Sequence, residues 1–199
     1  MPMRLLAVAC LVFVLGPGSA MADLFRATPN LAIPDNDPAG VTTSLEASPS
    51  AAIGDVNIVL EVDHSWTGDL IFKVTHGGTT VTLVDRPGGT GSGIGCGANL
   101  ACTRPVILDD EAATIPIECS APSDCATCFP DEIVAAGSYI PNEVLSAFDG
   151  ADQTGTWTLF VSDNAQVDTG VVCAWEVRTN NTVAVEPATW GRVKASYRE

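Results

Sequence analysis

The amino-acid sequence predicts an all-β fold in which two sheets pack face to face as a sandwich. The first observation is that apolar and polar residues alternate with period two in nearly every patterned segment. The second is that Gly, Pro, Asn and Asp separate these segments at short intervals. The third is that no helical periodicity competes with the strand pattern before the C-terminal residues. We therefore expect each strand to turn one apolar face toward a shared core.

The predicted strands follow one another along the chain, and each has its own apolar set. The two C-terminal strands include Trp157 and Trp175, which share the parity of their apolar neighbours, so both indoles are expected in the core. The sets are Val56, Ile58, Leu60 and Val62; Leu70, Phe72 and Val74; Val81 and Leu83; Trp157, Leu159 and Val161; Val171, Cys173, Trp175 and Val177.

A hairpin is predicted where "HGGT" separates two of these strands. Gly77 and Gly78 can both adopt the positive φ angles that a two-residue primed turn requires. The glycines are therefore explained by the turn, and His76 is expected to be a surface histidine at the end of a strand.

The two ends of the chain differ from this pattern. Residues 1–22 contain Arg4, an apolar run too short to span a bilayer, and an Ala-x-Ala site before Asp23, which together predict a cleaved signal peptide. The protein is therefore expected to be secreted, either outside the cell or into a periplasm. Residues 23–182 are expected to form one domain, and residues 183–199 a tail outside the sandwich.

Six of the seven cysteines lie beyond the predicted signal peptide, and an even number in an exported chain indicates disulfides. Five of them fall in an irregular excursion over about residues 88–138, where crosslinks would replace a missing core. Six cysteines allow 15 pairings, and the sequence does not choose among them. We expect Cys173 to tie one end of the excursion to the sandwich, with Cys119 as the preferred partner, and Cys96 and Cys102 are close enough in sequence to pair locally. A zinc site is disfavoured because no histidine follows Cys128 and the compartment is oxidising. A redox C-x-x-C is disfavoured because no βαβ pattern surrounds it. The six are Cys96, Cys102, Cys119, Cys125, Cys128 and Cys173.

The charge of the chain excludes some partners. It has 24 acidic and 9 basic residues, a net charge of −15, and loss of Arg4 with the signal peptide would make it −16. Such a surface repels nucleic acid and anionic lipid, so we expect no nucleic-acid partner. We expect no membrane span either, because no apolar segment of the sequence is long enough to cross a bilayer. It suits a divalent cation, although acidity alone also keeps a secreted protein soluble.

Four stretches of the sequence resemble one known family. Two motifs are specific in combination, "H-x-W-x-G-D-L" from His64 and "G-x-W-x-L-x-V-x-D…D-x-G" from Gly155 to Gly170. Over about residues 24–180 the chain resembles the P domain, or Homo B domain, of the proprotein convertase and kexin branch of subtilisin-like serine proteases. The stretches are 33–45, 55–74, 108–112 and 145–177.

The resemblance implies an eight-stranded jelly-roll β-sandwich of the galactose-binding-like type. In that family the domain follows the catalytic domain, performs no catalysis, and supports the folding, stability and calcium response of the protease. Convertases often carry R-G-D where this chain has Thr67-Gly68-Asp69, so a role that needs the arginine does not transfer.

No catalytic residue is predicted. The tripeptide D-T-G at 168–170 is a turn into the last strand in this family, and one such motif is only half of an aspartic dyad. The chain has no Gly-Thr-Ser nucleophile segment, and its His-like motif precedes its Asp-like motif, the reverse of subtilisin order.

Structural calcium is the one cofactor predicted, because acids recur in the expected loops and Ca²⁺ takes six to eight oxygen ligands. Any single Asp could instead cap a turn. The preferred ligands are Asp69, Asp109, Asp110 and Asp163, followed by Asp35, Asp37 and Asp168.

The sequence thus predicts a secreted, non-catalytic accessory or interaction module, whose partner is a subtilisin-like protease or another extracellular protein. One alternative is an adhesion or carbohydrate-binding module, which an exposed aromatic strip would favour. A second is an independent peptidase, which would need a Ser or Cys within hydrogen-bond reach of His64 or His76.

Overall fold

The structure is a computed structural model that describes residues 21–88, 97–113, 115–118 and 134–182. Ten β-strands and two short 3₁₀ turns, Thr67–Asp69 and Leu145–Phe148, occur in these residues. The strands are β1 (Met21–Ala27), β2 (Leu31–Ile33), β3 (Asp37–Ala47), β4 (Ala52–His64), β5 (Leu70–His76), β6 (Thr79–Asp85), β7 (Val106–Leu108), β8 (Gly137–Tyr139), β9 (Gly155–Asp163) and β10 (Gly170–Thr182).

The strands form two sheets. The larger sheet has the order β1-β10-β4-β7-β8, and the short β2 pairs with β10 as well. The smaller sheet has the order β3-β9-β5-β6. Every pairing is antiparallel except the one between β7 and β8. The predicted all-β sandwich is therefore confirmed.

The topology is that of a jelly roll. From β1 through β3, β4 and β5 the chain alternates between the two sheets, and it alternates again from β7 through β9 to β10. Two four-stranded sheets, β1-β10-β4-β7 and β3-β9-β5-β6, remain when the three-residue strands β2 and β8 are set aside. The eight expected strands are thus present, with two short additions at the larger sheet.

The core lies between the sheets and is built from the predicted alternating residues. Trp157, Trp175 and Phe72 are fully buried. Phe148, from the second 3₁₀ turn, packs against Trp157 with the ring centroids 5.0 Å apart. Burial of such aromatic side chains is the main favourable contribution to a sandwich of this size.

The alternation predicted for the last strand is wrong in its first half. A β-bulge between Val172 and Ala174 leaves Cys173 without a register partner. Val172 is consequently fully buried, whereas Val171 and Cys173 are only partly buried. An extra residue in a strand reverses which neighbours face the core, and period-two patterns carry no mark of it.

The two predicted disulfide pairings are also wrong. Cys102 bonds to Cys173, 71 residues further along the chain. This bond excludes both Cys119–Cys173 and Cys96–Cys102. The bulge explains this pairing, because it turns the side chain of Cys173 away from the core. The side chain then faces the segment just after Leu100, which forms a β-bridge with His64 at the end of β4. Cys173 does tie the sandwich to the excursion, as expected.

Several predictions concern residues outside the described ranges. They are the signal peptide up to residue 20, the tail from residue 183, and Cys96, Cys119, Cys125 and Cys128. Within the described ranges, neither helical segment has the length and apolarity that a membrane crossing requires.

Candidate functional site

The sequence motifs of the resemblance meet at one corner of the sandwich. β4 ends at His64, the first 3₁₀ turn ends at Asp69, β9 ends at Asp163, and β10 begins just after Asp168. The register places Leu70 opposite Asp163 and Gly170 opposite His64. We call His64, Asp69, Asp163 and Asp168 the acidic corner.

His64 and Asp163 form the buried centre of the acidic corner. Nε2 of His64 donates to Oδ2 of Asp163 at 3.2 Å, and both side chains are fully buried. Nδ1 of the same ring lies 3.1 Å from the backbone nitrogen of Trp66 and 3.0 Å from its carbonyl oxygen. Oδ1 of Asp163 accepts the backbone N–H of Ala165 at 3.0 Å. This pair therefore holds the β4–β5 and β9–β10 connections together.

Asp69 is the exception in this corner, because its carboxylate accepts no hydrogen bond from the described residues, although its oxygens are not fully enclosed. The residue is 3% exposed, and none of the described residues donates to its side chain. Burial, reinforced by the neighbouring charges of Asp163 and Asp168, raises the pKa of Asp69 to about 6. A buried carboxyl without a partner is costly, and natural proteins keep few of them.

Close backbone packing shapes the corner. A Cβ atom on Gly170 would lie under 3.0 Å from the backbone oxygen of Asp63 and from the ring of His64. A Cβ on Gly97 would likewise meet the indole of Trp66. The glycine of the D-x-G motif is thus required for the approach of β10 to β4, in addition to the turn.

The three secondary ligand candidates also lie at this end of the molecule. Asp168 accepts the hydroxyl of Ser65 at 2.6 Å, and Asp35 accepts the backbone N–H of Val167 at 3.0 Å. Asp37, opposite Asp163 in the register, accepts the backbone N–H of Ala39. Each of these carboxylates therefore also has a structural role in a turn.

The other two preferred candidates lie at the opposite end of the sandwich. Asp110 accepts the backbone N–H groups of Leu145 and Ser146, both at 2.8 Å, and so caps the second 3₁₀ turn. Its neighbours include Asp55 and Asp149. Asp55 and His64 are nine residues apart on β4, which is roughly 30 Å along a strand. The preferred ligand candidates are therefore divided between the two ends of the sandwich.

A second acidic group surrounds this distant end. Burial and the charges of Asp55 and Asp110 raise the pKa of Asp149, and burial and the charge of Asp55 raise the pKa of Glu111. Asp109 contributes through its Oδ1, which accepts the backbone N–H of Glu111 at 2.9 Å. These side chains are more exposed than Asp69.

The carboxylates of neither end are already gathered around a point. Among the described residues, one group of three has ligand atoms all within 4.8 Å of one another, namely Asp63, Cys102 and Cys173. Both sulfurs of that group are in the disulfide, so it is not a metal site.

The second histidine is buried, contrary to the prediction of a surface position. His76 is 5% exposed and stacks on Trp157 with centroids 4.1 Å apart. Its Nε2 lies 2.7 Å from the carbonyl oxygen of Asp152, and its Nδ1 lies 3.1 Å from that of Thr156. A hairpin end is exposed in most proteins, but here the chain around the start of β9, from Asp152 to Thr156, covers it. The ring joins the β5–β6 hairpin to the start of β9.

The chemistry available to the two histidines is limited by these contacts. In the part of the chain that the structure describes, the ring nitrogens of His64 and His76 contact backbone groups and Asp163, and no Ser or Cys side chain. An exposed aromatic strip is likewise not found in these ranges, because Trp157 and Trp175 are buried and Trp66 is half-buried.

Sequence reasoning did not identify the partners of the acidic residues. The sequence pattern predicts neither the contact of His64 with Asp163 nor the bonds that Ser65 and Val167 donate to Asp168 and Asp35. The signal was present in the H-x-W-x-G-D-L motif, which contains both His64 and Asp69 at a spacing that a 3₁₀ turn brings together.

Comparisons with known proteins show the fold of the chain. No protein-family model matches the sequence, and no curated protein matches it. A crystal structure of the Aeromonas sobria serine protease in complex with its chaperone is similar with a TM-score of 0.50 and 14% sequence identity, over 84% of this chain and 28% of that chain. A crystal structure of the Aeromonas sobria serine protease gives a TM-score of 0.49 and 12% identity, over 85% of this chain and 28% of that chain. The chain thus spans little more than a quarter of the matched chain in each of these two structures, and it shares a β-sandwich fold with the first.

Proposed function

We propose that the chain is a secreted, non-catalytic accessory module that binds a subtilisin-like protease and stabilises it. The observation that carries this proposal is the use of the motif residues His64, Asp69 and Asp163. They form a buried corner that fixes two loops, and no Ser or Cys side chain of the described residues contacts the imidazole. The resemblance to the P domain of convertases and the fold similarity to a serine protease structure support the same assignment.

The proposal is tested with the mature chain, residues 23–199, and the subtilisin-like proteases that the source organism encodes. Each protease is immobilised, and binding and residual activity after heating are measured with and without the chain. We expect at least one protease to bind and to retain activity for longer in its presence. Gly170→Ala is the comparison variant with a disturbed corner. Its Cβ would clash with Asp63 and His64, so both binding and protection should be weaker. Lack of binding to the full set would refute the proposal.

We further propose that the module is stabilised by calcium at the acidic corner. Asp69 supports this assignment, because a cation would compensate a buried carboxylate that has no hydrogen bond. Asp163 and Asp168 lie close enough to raise the pKa of Asp69, and hard oxygen donors suit Ca²⁺. The carboxylates are not pre-gathered, so binding would have to draw Asp69 and Asp168 together.

The calcium proposal is tested by thermal unfolding in calcium and in excess EDTA. We expect calcium to raise the Tm of the wild-type chain, and Asp69→Asn to abolish most of this increase. Asp149→Asn is the matched variant at the opposite acidic end and should keep the increase. Loss of the Tm increase in Asp149→Asn alone would indicate that calcium binds at the opposite acidic end. No calcium-dependent increase of the wild-type Tm would refute the calcium proposal.

A further inference from the structure

The β9–β10 connection presents an unusual residue at its tip. Val167 is 86% exposed, the most exposed of the large apolar residues in the described ranges. Its φ angle is +95°, a backbone conformation that β-branched residues rarely adopt because of steric strain. The other described non-glycine residues with positive φ are Asn30, Asn36 and Arg86, none of which is β-branched. A polar residue or glycine would fit this position better on grounds of both solvation and strain.

The strain is held in place by contacts on both sides of Val167. The backbone N–H of Val167 itself donates to Oδ1 of Asp35, from the β2–β3 connection, at 3.0 Å. Ser65, which follows β4, donates to the carboxylate of Asp168 at 2.6 Å. On the other side, the backbone N–H of Ala165 donates to Asp163.

A further contact anchors the start of the loop. The side-chain amide of Asn164 donates to the backbone oxygen of Asp69 at 3.1 Å, and its backbone N–H donates to the same oxygen at 2.9 Å. Residues 164–168 are therefore fixed from two other connections of the fold, β2–β3 and β4–β5. A loop so constrained around an exposed apolar side chain is pre-organised to present it, which lowers the entropic cost of a contact.

The surroundings of Val167 define the chemistry of the surface that would receive it. Asp35 and Asp168 flank the side chain through their loop contacts, and Asp63 is exposed at the adjacent end of β4. A complementary surface therefore combines an apolar cavity of valine size with Lys or Arg side chains at its rim.

We infer that Val167 is the central contact of the module with its protein partner, and that it inserts into an apolar cavity rimmed by basic residues. The inference rests on the proposed function, since it takes the partner to be a subtilisin-like protease. It also explains why the loop keeps a strained valine in solvent. Basic residues at the rim would make association faster at low ionic strength.

The test compares two matched substitutions in the mature chain against the protease that binds it. Val167→Ala and Val144→Ala remove the same two methyl groups from exposed valines, and Val144 is 60% exposed with an ordinary φ of −70°. We expect Val167→Ala to weaken binding at least about tenfold and to leave Val144→Ala at the wild-type Kd. The association rate should fall as sodium chloride is added.

Val167→Gly separates contact from folding. It relieves the backbone strain, so we expect an unchanged or raised Tm together with weaker binding. Equal affinities of the wild type, Val167→Ala and Val144→Ala would overturn the inference and leave the proposed function intact. A lower Tm for Val167→Gly would also overturn it, by showing that the side chain supports the fold. If the wild type binds no protease, the proposed function fails and this inference fails with it.

Discussion

At the residue scale, two carboxylates of the acidic corner differ in their hydrogen bonds. Asp163 has a hydrogen bond at each oxygen, whereas Asp69 has neighbouring charges and no donor. A group that binds its proton more tightly in the folded state stabilises the fold at low pH and loses that contribution as pH rises. Asp69 is such a group in the absence of a cation.

This difference predicts a pH dependence of stability in EDTA. The pKa of Asp69 is raised from 3.8 to about 6 in the folded chain. Its contribution is therefore fully present below 3.8 and is lost as the pH rises through about 6. Asp69→Asn, which stays neutral, should match the wild type at about pH 4 and exceed it by roughly 1–3 kcal/mol at about pH 8. Tm values across this range test the prediction, and parallel profiles for the two proteins would contradict it.

Individual site residues were only partly predictable from the sequence. Their spacing in strand-end motifs places Asp69 and Asp163 at loops, and in the structure Asp69 ends the first 3₁₀ turn whereas Asp163 is the last residue of β9. The split of Asp109 and Asp110 from this corner was not predictable, because period-two patterns assign a residue to a strand end without saying which end of the sandwich it reaches. That information depends on strand direction in the jelly roll.

At the element scale, β10 determines how the larger sheet is tied to the irregular excursion. Its bulge at Cys173 sends that side chain outward to bond with Cys102. The backbone N–H of Cys102 also donates to the carboxylate of Asp63 on β4 at 2.6 Å. The part of the excursion around Cys102 is thus fixed by a covalent bond to β10 and a hydrogen bond to β4.

Removal of this disulfide should destabilise the domain substantially. Closing a loop of 71 residues restricts the unfolded chain, and the double variant Cys102→Ser with Cys173→Ser should lower the free energy of unfolding by about 2–5 kcal/mol. Urea unfolding under oxidising conditions measures the difference. Ser65→Ala, which removes a single exposed hydrogen bond nearby, is the control and should cost far less. An unchanged midpoint in the double variant would contradict the structural role of the bond.

At the scale of the whole molecule, the fold could be predicted from the sequence because half-buried strands show a period-two alternation of apolar and polar residues. The two features that the sequence missed, the bulge at Cys173 and the burial of His76, both arise from contacts between distant segments. Neither an inserted residue in a strand nor a loop folded over a hairpin changes the local pattern. The same reasoning explains why the disulfide pairing could not be inferred from cysteine spacing.

The pairing of β1 with β10 has a consequence for how such a domain can be joined to others. Met21 lies opposite Asn181, so the first and last strands begin and end side by side, at the Asp55 end of β4. A host protein could therefore be fused before the domain, after it, or around it as an insertion, with connectors of only a few residues. In each arrangement the point of attachment would be at one end of the sandwich, and the loop that carries Val167 would stay clear at the other.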